Sequence, residues 1–183
     1  KAKFEAYDGI HDADLLPDGI VRLKMNDVTV AKALDDDYFI NTGSPHFIRF
    51  VSKIKDHPVF DEGRAIRYRE DFRPGGTNVN FVELGKGNHI FVRTYERGVE
   101  DETLSCGTGV TAAALASSMR GLSSPITVNT LGGELRVEFK SNLTDNDRLS
   151  DRQAVTNQAQ SVLFQDIYLI GPAKLVFEGD LEL

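Results

Sequence analysis

The segment Ser105-Cys106-Gly107-Thr108-Gly109-Val110-Thr111 sets a thiol directly ahead of two glycines and an alanine-rich run that reads as a helix. The first N–H groups of a helix have no partner within it, and glycines let a ligand approach those of Gly107, Thr108 and Gly109 closely. Such a position favours a carboxylate or a phosphate, and the same dipole is expected to lower the cysteine pKa from its usual ~8.5. A thiol able to ionise near neutral pH, beside the carboxylate of an amino acid, is placed for proton transfer. Two other readings of the segment stay open at this point. The cysteine could be a buried small hydrophobe, as most free cysteines are. The loop could bind phosphate, although no lysine follows its glycines as a P-loop requires.

Upstream, Thr94-Tyr95-Glu96-Arg97-Gly98 ends an apolar strand on adjacent opposite charges. A zwitterion suits such a pair, with the carboxylate taking an ammonium and the guanidinium taking a carboxylate through two parallel bonds. Taken alone, the pair is a solvated strand end. His46, in the tight turn Gly43-Ser44-Pro45-His46, could tune a nearby thiol, yet alone it is an ordinary turn histidine. Asn78, which opens a strand after Pro74-Gly75-Gly76, is equally plain by itself. His11, His57 and His89 fall in expected turns and are given no role. One cysteine among scattered histidines leaves no metal-site spacing.

The elements that must carry these residues are mostly strands. Alternation and turn residues predict strands from Phe4, over Ile20–Met25, at Tyr38–Ile40 and over Phe47–Val51. A helix is expected from Asp56-His57-Pro58, with Asp56 as cap, to the stop at Pro74-Gly75-Gly76. Strands at 78–84 and 89–95 share the hairpin turn Gly85-Lys86-Gly87-Asn88. The second helix runs from about Gly107 to Arg120, nearly uncharged and therefore buried on most sides, with Gly121 as its stop. Strands at 125–131 and 134–139 follow around Leu131-Gly132-Gly133. Residues 141–163 are polar and lack a period, which predicts an inserted surface loop. Two last strands, 164–170 and 174–183, are expected on either side of Gly171-Pro172. The result is a strand-rich α+β domain with one helix wrapped by sheet.

Composition narrows the classes of function. The chain has 183 residues, enough for one domain with a real core, and a net charge of −7 with no basic patch, which disfavours nucleic acid. No apolar run reaches the length of a membrane span, and Lys1–Glu5 has no signal-peptide pattern. A single cysteine fits a reducing compartment, so a cytoplasmic protein is expected.

Together, Gly43-Ser44-Pro45-His46, Thr77-Asn78-Val79-Asn80-Phe81, Tyr95-Glu96-Arg97-Gly98, Cys106-Gly107-Thr108-Gly109, Gly132-Gly133 and Gly171-Pro172-Ala173 closely resemble the C-terminal half of the diaminopimelate epimerases. The order and spacing of the motifs span nearly the whole chain, and the Glu-Arg-Gly and Cys-Gly-Thr-Gly pair is the most specific part. The resemblance implies an antiparallel sheet around a central helix and a cofactor-free isomerase, needing no pyridoxal phosphate. Its members interconvert LL- and meso-2,6-diaminopimelate on the route to lysine and peptidoglycan. Two cysteines face opposite sides of the α-carbon; one removes a proton as thiolate and the other delivers one as thiol. Cys106 matches the second cysteine, and Gly107 and Thr108 match the donors to the reacting carboxylate. Glu96 matches the acid near the reacting amino group, Arg97 the partner of the distal carboxylate, Asn78 a distal polar contact, and His46 a histidine that tunes the thiols, with Glu96 expected to tune Cys106 as well.

Against that pattern, Ser44 stands where the family has Asn. The stretch from Glu96 to Cys106 is one residue longer, so its loop must bulge, and the insertion at 141–163 is extra. The first half of the family, with its own cysteine, has no counterpart in these 183 residues. The expectation is therefore one domain over 1–183, a fragment whose partner is the missing N-terminal half, inactive alone, with homodimerisation also open. Two alternatives remain: a same-fold isomerase of another substrate, such as a proline racemase or phenazine-pathway relative, and a non-catalytic carboxylate-binding relative.

Overall fold

Among the described residues, turn residues separate short strands and two α-helices. The computed structural model describes residues 1–6, 9–143, 155–156, 163–174 and 178–180. The strands before the first helix are β1 (Ala2–Ala6), β2 (Gly9–Leu15), β3 (Ile20–Lys24), β4 (Val30–Leu34), β5 (Asp37–Asn41) and β6 (Pro45–Phe50). Helix α1 (Val59–Arg67) is followed by β7 (Asn78–Leu84), β8 (His89–Glu96) and β9 (Asp101–Thr103). Helix α2 (Gly107–Met119) leads to β10 (Ile126–Thr130), β11 (Gly133–Ser141), β12 (Val155–Thr156) and β13 (Phe164–Pro172).

All of these strands join one sheet, in the order β1-β2-β3-β13-β11-β10-β8-β7-β6-β5-β4-β12, with β9 added on β8. The α+β architecture matches the sequence reading, but the sheet is not purely antiparallel. The pairs β6–β7 and β8–β10 run parallel. Each is bridged by a helix, α1 in one case and α2 in the other, and a helical crossover is long enough to bring the chain back in the same direction.

The sheet curls around α2, which touches β5, β6, β7, β8, β10, β11 and β13. Every residue from Gly109 to Met119 is buried. Alanine makes this possible: Ala112, Ala113, Ala114 and Ala116 keep the helix thin, and Val110, Leu115 and Met119 fill the remaining space. The buried hydroxyls are satisfied within the helix, Ser117 donating to the Ala113 carbonyl at 2.8 Å and Ser118 to that of Leu115 at 2.7 Å.

Helix α1 covers the opposite face of β7 and β8. Alternation along a strand sends successive side chains to opposite faces, and here it sorts them cleanly. Phe47, Val79, Phe81 and Tyr95 pack with Val59 and Ile66 of α1, whereas Ile48, Val82, Ile90 and Val92 face α2. The same parity puts His46 of β6, Asn78 and Asn80 of β7, and Thr94 and Glu96 of β8 on the α2 side.

Several expectations change. Asp56 closes a 3-10 turn over Ile54–Asp56 and does not cap α1, whose N-cap is Pro58. Strands β2, β4 and β9 were not expected, and His11 lies buried in β2 rather than in a turn. Gly171-Pro172 does not split two strands, because β13 runs through it and pairs with Val21 and Ile20 of β3. Gly171 answers to space: a Cβ there would run into the Leu135 side chain. Residues 173–174 and 178–180 have no regular structure, so the strand expected over 174–183 does not form there. Most of the stretch 141–163 lies outside the described residues, but Val155–Thr156 pairs with Val30–Ala31 of β4. No helix among the described residues is long and apolar enough to cross a membrane.

Candidate active site

Cys106 is the N-cap of α2, with extended backbone (φ −125°, ψ 110°), and its carbonyl accepts the first helical bond from Val110 N–H at 2.8 Å. The Thr42 hydroxyl fixes the start of the helix by donating to the Thr108 carbonyl at 2.8 Å. Thr108 and Gly109 N–H groups and the Thr108 hydroxyl, 3.5 Å away, bear on the sulfur and favour its thiolate. Burial nevertheless wins. It pushes the thiol above its ordinary value, and the negative charge of Glu96 pushes the same way. The lowered pKa expected from the helix dipole is thus corrected: a thiol taken out of water pays more for its charge than two amides and a hydroxyl return.

His46 is not in a solvated turn. It is wholly buried on β6, with Nε2 2.9 Å from Thr108 Oγ1 and Nδ1 3.0 Å from Asn80 Nδ2. Burial, reinforced by the positive charge of Arg97, lowers its pKa to about 3, so it is a neutral imidazole at physiological pH. The parallel register of His46 beside Asn78 brings this ring under the first turn of α2. That turn can come so close only because Gly109 lacks a Cβ, which would collide with Asn80 Oδ1 and lie 3.2 Å from His46 Cε1.

Glu96 and Arg97 stand at the end of β8. Glu96 accepts a hydrogen bond from the Thr103 hydroxyl at 2.9 Å, and Arg97 reaches the Ser44 hydroxyl at 3.3 Å and the Gly75 carbonyl at 3.5 Å. Among the described residues neither meets an opposite charge. The surrounding arginines differ: Arg93 pairs with Glu102 at 2.6 Å, Arg67 with Glu100 at 3.2 Å, and Arg49 with Glu62 at 2.6 Å. Glu96 and Arg97 thus stand side by side without ion partners among the described residues, unlike these three arginines.

Ser44 and Asn78 brace this pair. Asn78 donates to the Ser44 hydroxyl at 2.9 Å and the Pro45 carbonyl at 3.0 Å, and accepts from the Arg97 N–H at 2.9 Å. Its amide is therefore engaged in holding Ser44 and Arg97 in place. The chain turns tightly after Glu96, between β8 and β9. Glu100 N–H reaches back to the Glu96 carbonyl at 2.8 Å, with Glu100 in the left-handed region at φ 60°. Arg67, Tyr68, Tyr95 and the Gly98 N–H all donate to the Glu100 carboxylate, which holds that conformation.

The structure thus gathers Cys106, Gly107, Thr108, His46, Glu96, Arg97, Ser44 and Asn78 around the start of α2 and the ends of β6–β8. Sequence reasoning passed over Asn80, Thr94 and Thr42. A signal for Asn80 existed: two asparagines at period two on an otherwise apolar strand must share a face, and buried amides there require partners.

This wrapped-helix domain has the fold of known amino-acid racemases and epimerases. It superposes on a probable proline racemase from Agrobacterium radiobacter with a TM-score of 0.60 at 15% identity, over 96% of this chain and 60% of that one. A hydroxyproline epimerase from Agrobacterium vitis gives the same TM-score and identity over 93% and 55%. The chain belongs to the diaminopimelate epimerase family: the family model matches residues 38–150. It is 41% identical to the diaminopimelate epimerase of Flavobacterium psychrophilum over 97% of its length, and 38% identical to that of Aquifex aeolicus over 99%. It spans 63% and 62% of those relatives' lengths.

Proposed function

We propose that this chain carries one of the two acid–base thiols of a diaminopimelate epimerase, together with the groups that anchor the substrate. The observation that carries the reading is the unpaired Glu96–Arg97 couple beside Cys106. Diaminopimelate has an ammonium and a carboxylate at each end. Glu96 takes the reacting ammonium, the Gly107 and Thr108 donors take its carboxylate, and Arg97 with Ser44 takes the distal carboxylate. Cys106, kept protonated by its surroundings, then delivers its S–H proton to one face of the α-carbon. A thiolate on the other face removes the original proton, and the electron pair left by the breaking C–H bond forms the new one. In the reverse direction Cys106 is the base. The single cysteine of this chain leaves the second base to the part of the family's length that it does not span. No pyridoxal phosphate or other cofactor enters the scheme, which belongs to lysine and peptidoglycan synthesis in the cytoplasm.

The test is interconversion of LL- and meso-diaminopimelate, followed as exchange of the α-proton for solvent deuterium. The 183-residue chain alone should give no turnover. The protein joined to a family N-terminal half should turn over, and Cys106→Ala should abolish that activity. Turnover by the chain alone, or full activity after Cys106→Ala, would overturn the assignment.

A further inference from the structure

We propose that Asn80 is a positioning residue: held by Thr94, its amide fixes the tautomer of His46 so that the Thr108 hydroxyl turns its proton toward Cys106 Sγ. The proposal deepens the acid–base role given to Cys106 and rests on that reading.

The direction of each bond follows from the one before it. Asn80 is fully buried, and its amide has two partners besides His46 to settle which end is which. Its Nδ2 lies 3.2 Å from the Phe47 carbonyl, which can only accept, so this end is the NH2. Its Oδ1 accepts from the Thr94 hydroxyl at 3.0 Å, which fixes the other end. The same Nδ2 faces His46 Nδ1 at 3.0 Å, so Nδ1 must present a lone pair. A neutral imidazole has one N–H, which is left at Nε2 and points at Thr108 Oγ1, 2.9 Å away. That oxygen accepts from His46, and its own proton is free for the site. Cys106 Sγ, at 3.5 Å, is the acceptor beside it.

In the other tautomer an Nδ1–H would confront the Asn80 NH2, and Nε2 would draw the Thr108 proton away from sulfur. Because His46 stays neutral down to about pH 3, the direction of the chain does not change with pH over the working range. The charged groups bearing on it are Arg97, acting on His46, and Glu96, acting on Cys106. A donor on sulfur favours thiolate over thiol, so this chain opposes the burial and the Glu96 charge that hold Cys106 protonated. A ligand carboxylate at the same hydroxyl would compete for that proton.

The experiment uses the 183-residue chain, in which Cys106 is the only cysteine. Nitrogen-15 NMR should find His46 as the Nε2–H tautomer at every pH from 6 to 9; an Nδ1–H or doubly protonated ring would overturn the proposal. The pH midpoint of Cys106 alkylation by iodoacetamide gives the second readout. Thr108→Val should raise it by about one unit, a roughly tenfold loss of thiolate below the midpoint, and Thr108→Ser should restore it. Asn80→Asp offers Nδ1 an acceptor, so it should switch His46 to Nδ1–H and raise the midpoint further than it does in a Thr108→Val background. Equal shifts in the two backgrounds would mean the change acts only through its charge, and the proposal would fall. If Asn80→Asp does not fold, the wild-type spectrum and the Thr108 pair still decide. No readout uses diaminopimelate, so absence of epimerisation would sink the proposed function without touching these results, and the converse also holds.

Discussion

Replacing Gly109 by alanine asks how tightly α2 is seated on the site. In a free helix this change stabilises by roughly 0.5–1 kcal/mol, because glycine loses more backbone freedom on folding. Here the new methyl would collide with Asn80 Oδ1 and lie 3.2 and 3.3 Å from His46 Cε1 and Nδ1. Overpacking of a filled core costs about 1–3 kcal/mol. If Asn80 swings away, the buried Thr94 hydroxyl also loses its acceptor, at about 1–3 kcal/mol. Set against the helix gain, Gly109→Ala should destabilise by about 2–4 kcal/mol. For a domain of this size that lowers Tm by about 5–15 °C. Thermal melts followed by circular dichroism and urea titrations with matched m-values would measure it. A variant that melts at or above the parent temperature would show that α2 is not wedged against Asn80 and His46, and the packing argument would have to be abandoned.

The buried neutral His46 makes a pH prediction. Its folded pKa, about 3, lies below the unfolded ~6.5, so the unfolded state binds the extra proton between those values. His46 should cost no stability above about pH 6.5 and about 1.4 kcal/mol per pH unit below it, a slope that urea melts should find missing in His46→Gln. Glu96→Gln removes a charge that raises the Cys106 pKa, so its iodoacetamide midpoint should fall; an unchanged or higher midpoint would detach Glu96 from the thiol. In the complete enzyme, Arg97→Lys should raise KM for diaminopimelate about 10- to 100-fold, the worth of a charged hydrogen bond that an ammonium cannot replace. A neutral result there would reassign the distal clamp.

What the sequence disclosed about the fold and the site depended on whether the signal was local. Cys106 at the start of a buried helix was legible because glycines, alanines and the lack of charge all lie within α2 itself. The α2 face of β7 was half legible, since the spacing of Asn78 and Asn80 gives the parity but not what the parity faces. The place of His46 was not legible: it depends on the parallel pairing of β6 with β7, which sets His46 beside Asn78, and on Gly109 arriving from a third element. Strands β2 and β9 were hidden by their polar residues, because they are held by pairing to β3 and β8 rather than by an apolar face. At Gly171-Pro172 the error was one of cause. Glycine before proline reads as a turn residue, whereas in β13 it makes room for Leu135.

The raised pKa of Cys106 and the proposed chemistry are two sides of one arrangement. The sequence displays the helix, whose amides favour the thiolate, but not how much water is lost when that helix is seated inside a sheet. The tuning role expected of Glu96 has a direction in the structure, since its charge raises the pKa of the thiol. A substrate ammonium bound to Glu96 would cancel the charge that keeps the thiol protonated, while the fixed donors at Thr108 and Gly109 would remain. In the empty site Cys106 is accordingly held as a weakly reactive thiol. In the occupied one the balance moves toward an easier exchange of its proton with the α-carbon. Under the proposed function, the same carboxylate would select the amino group and adjust the acid that serves it, which gives a reason for Glu96 to stand without an ion partner among the described residues while Glu100 and Glu102 each meet an arginine.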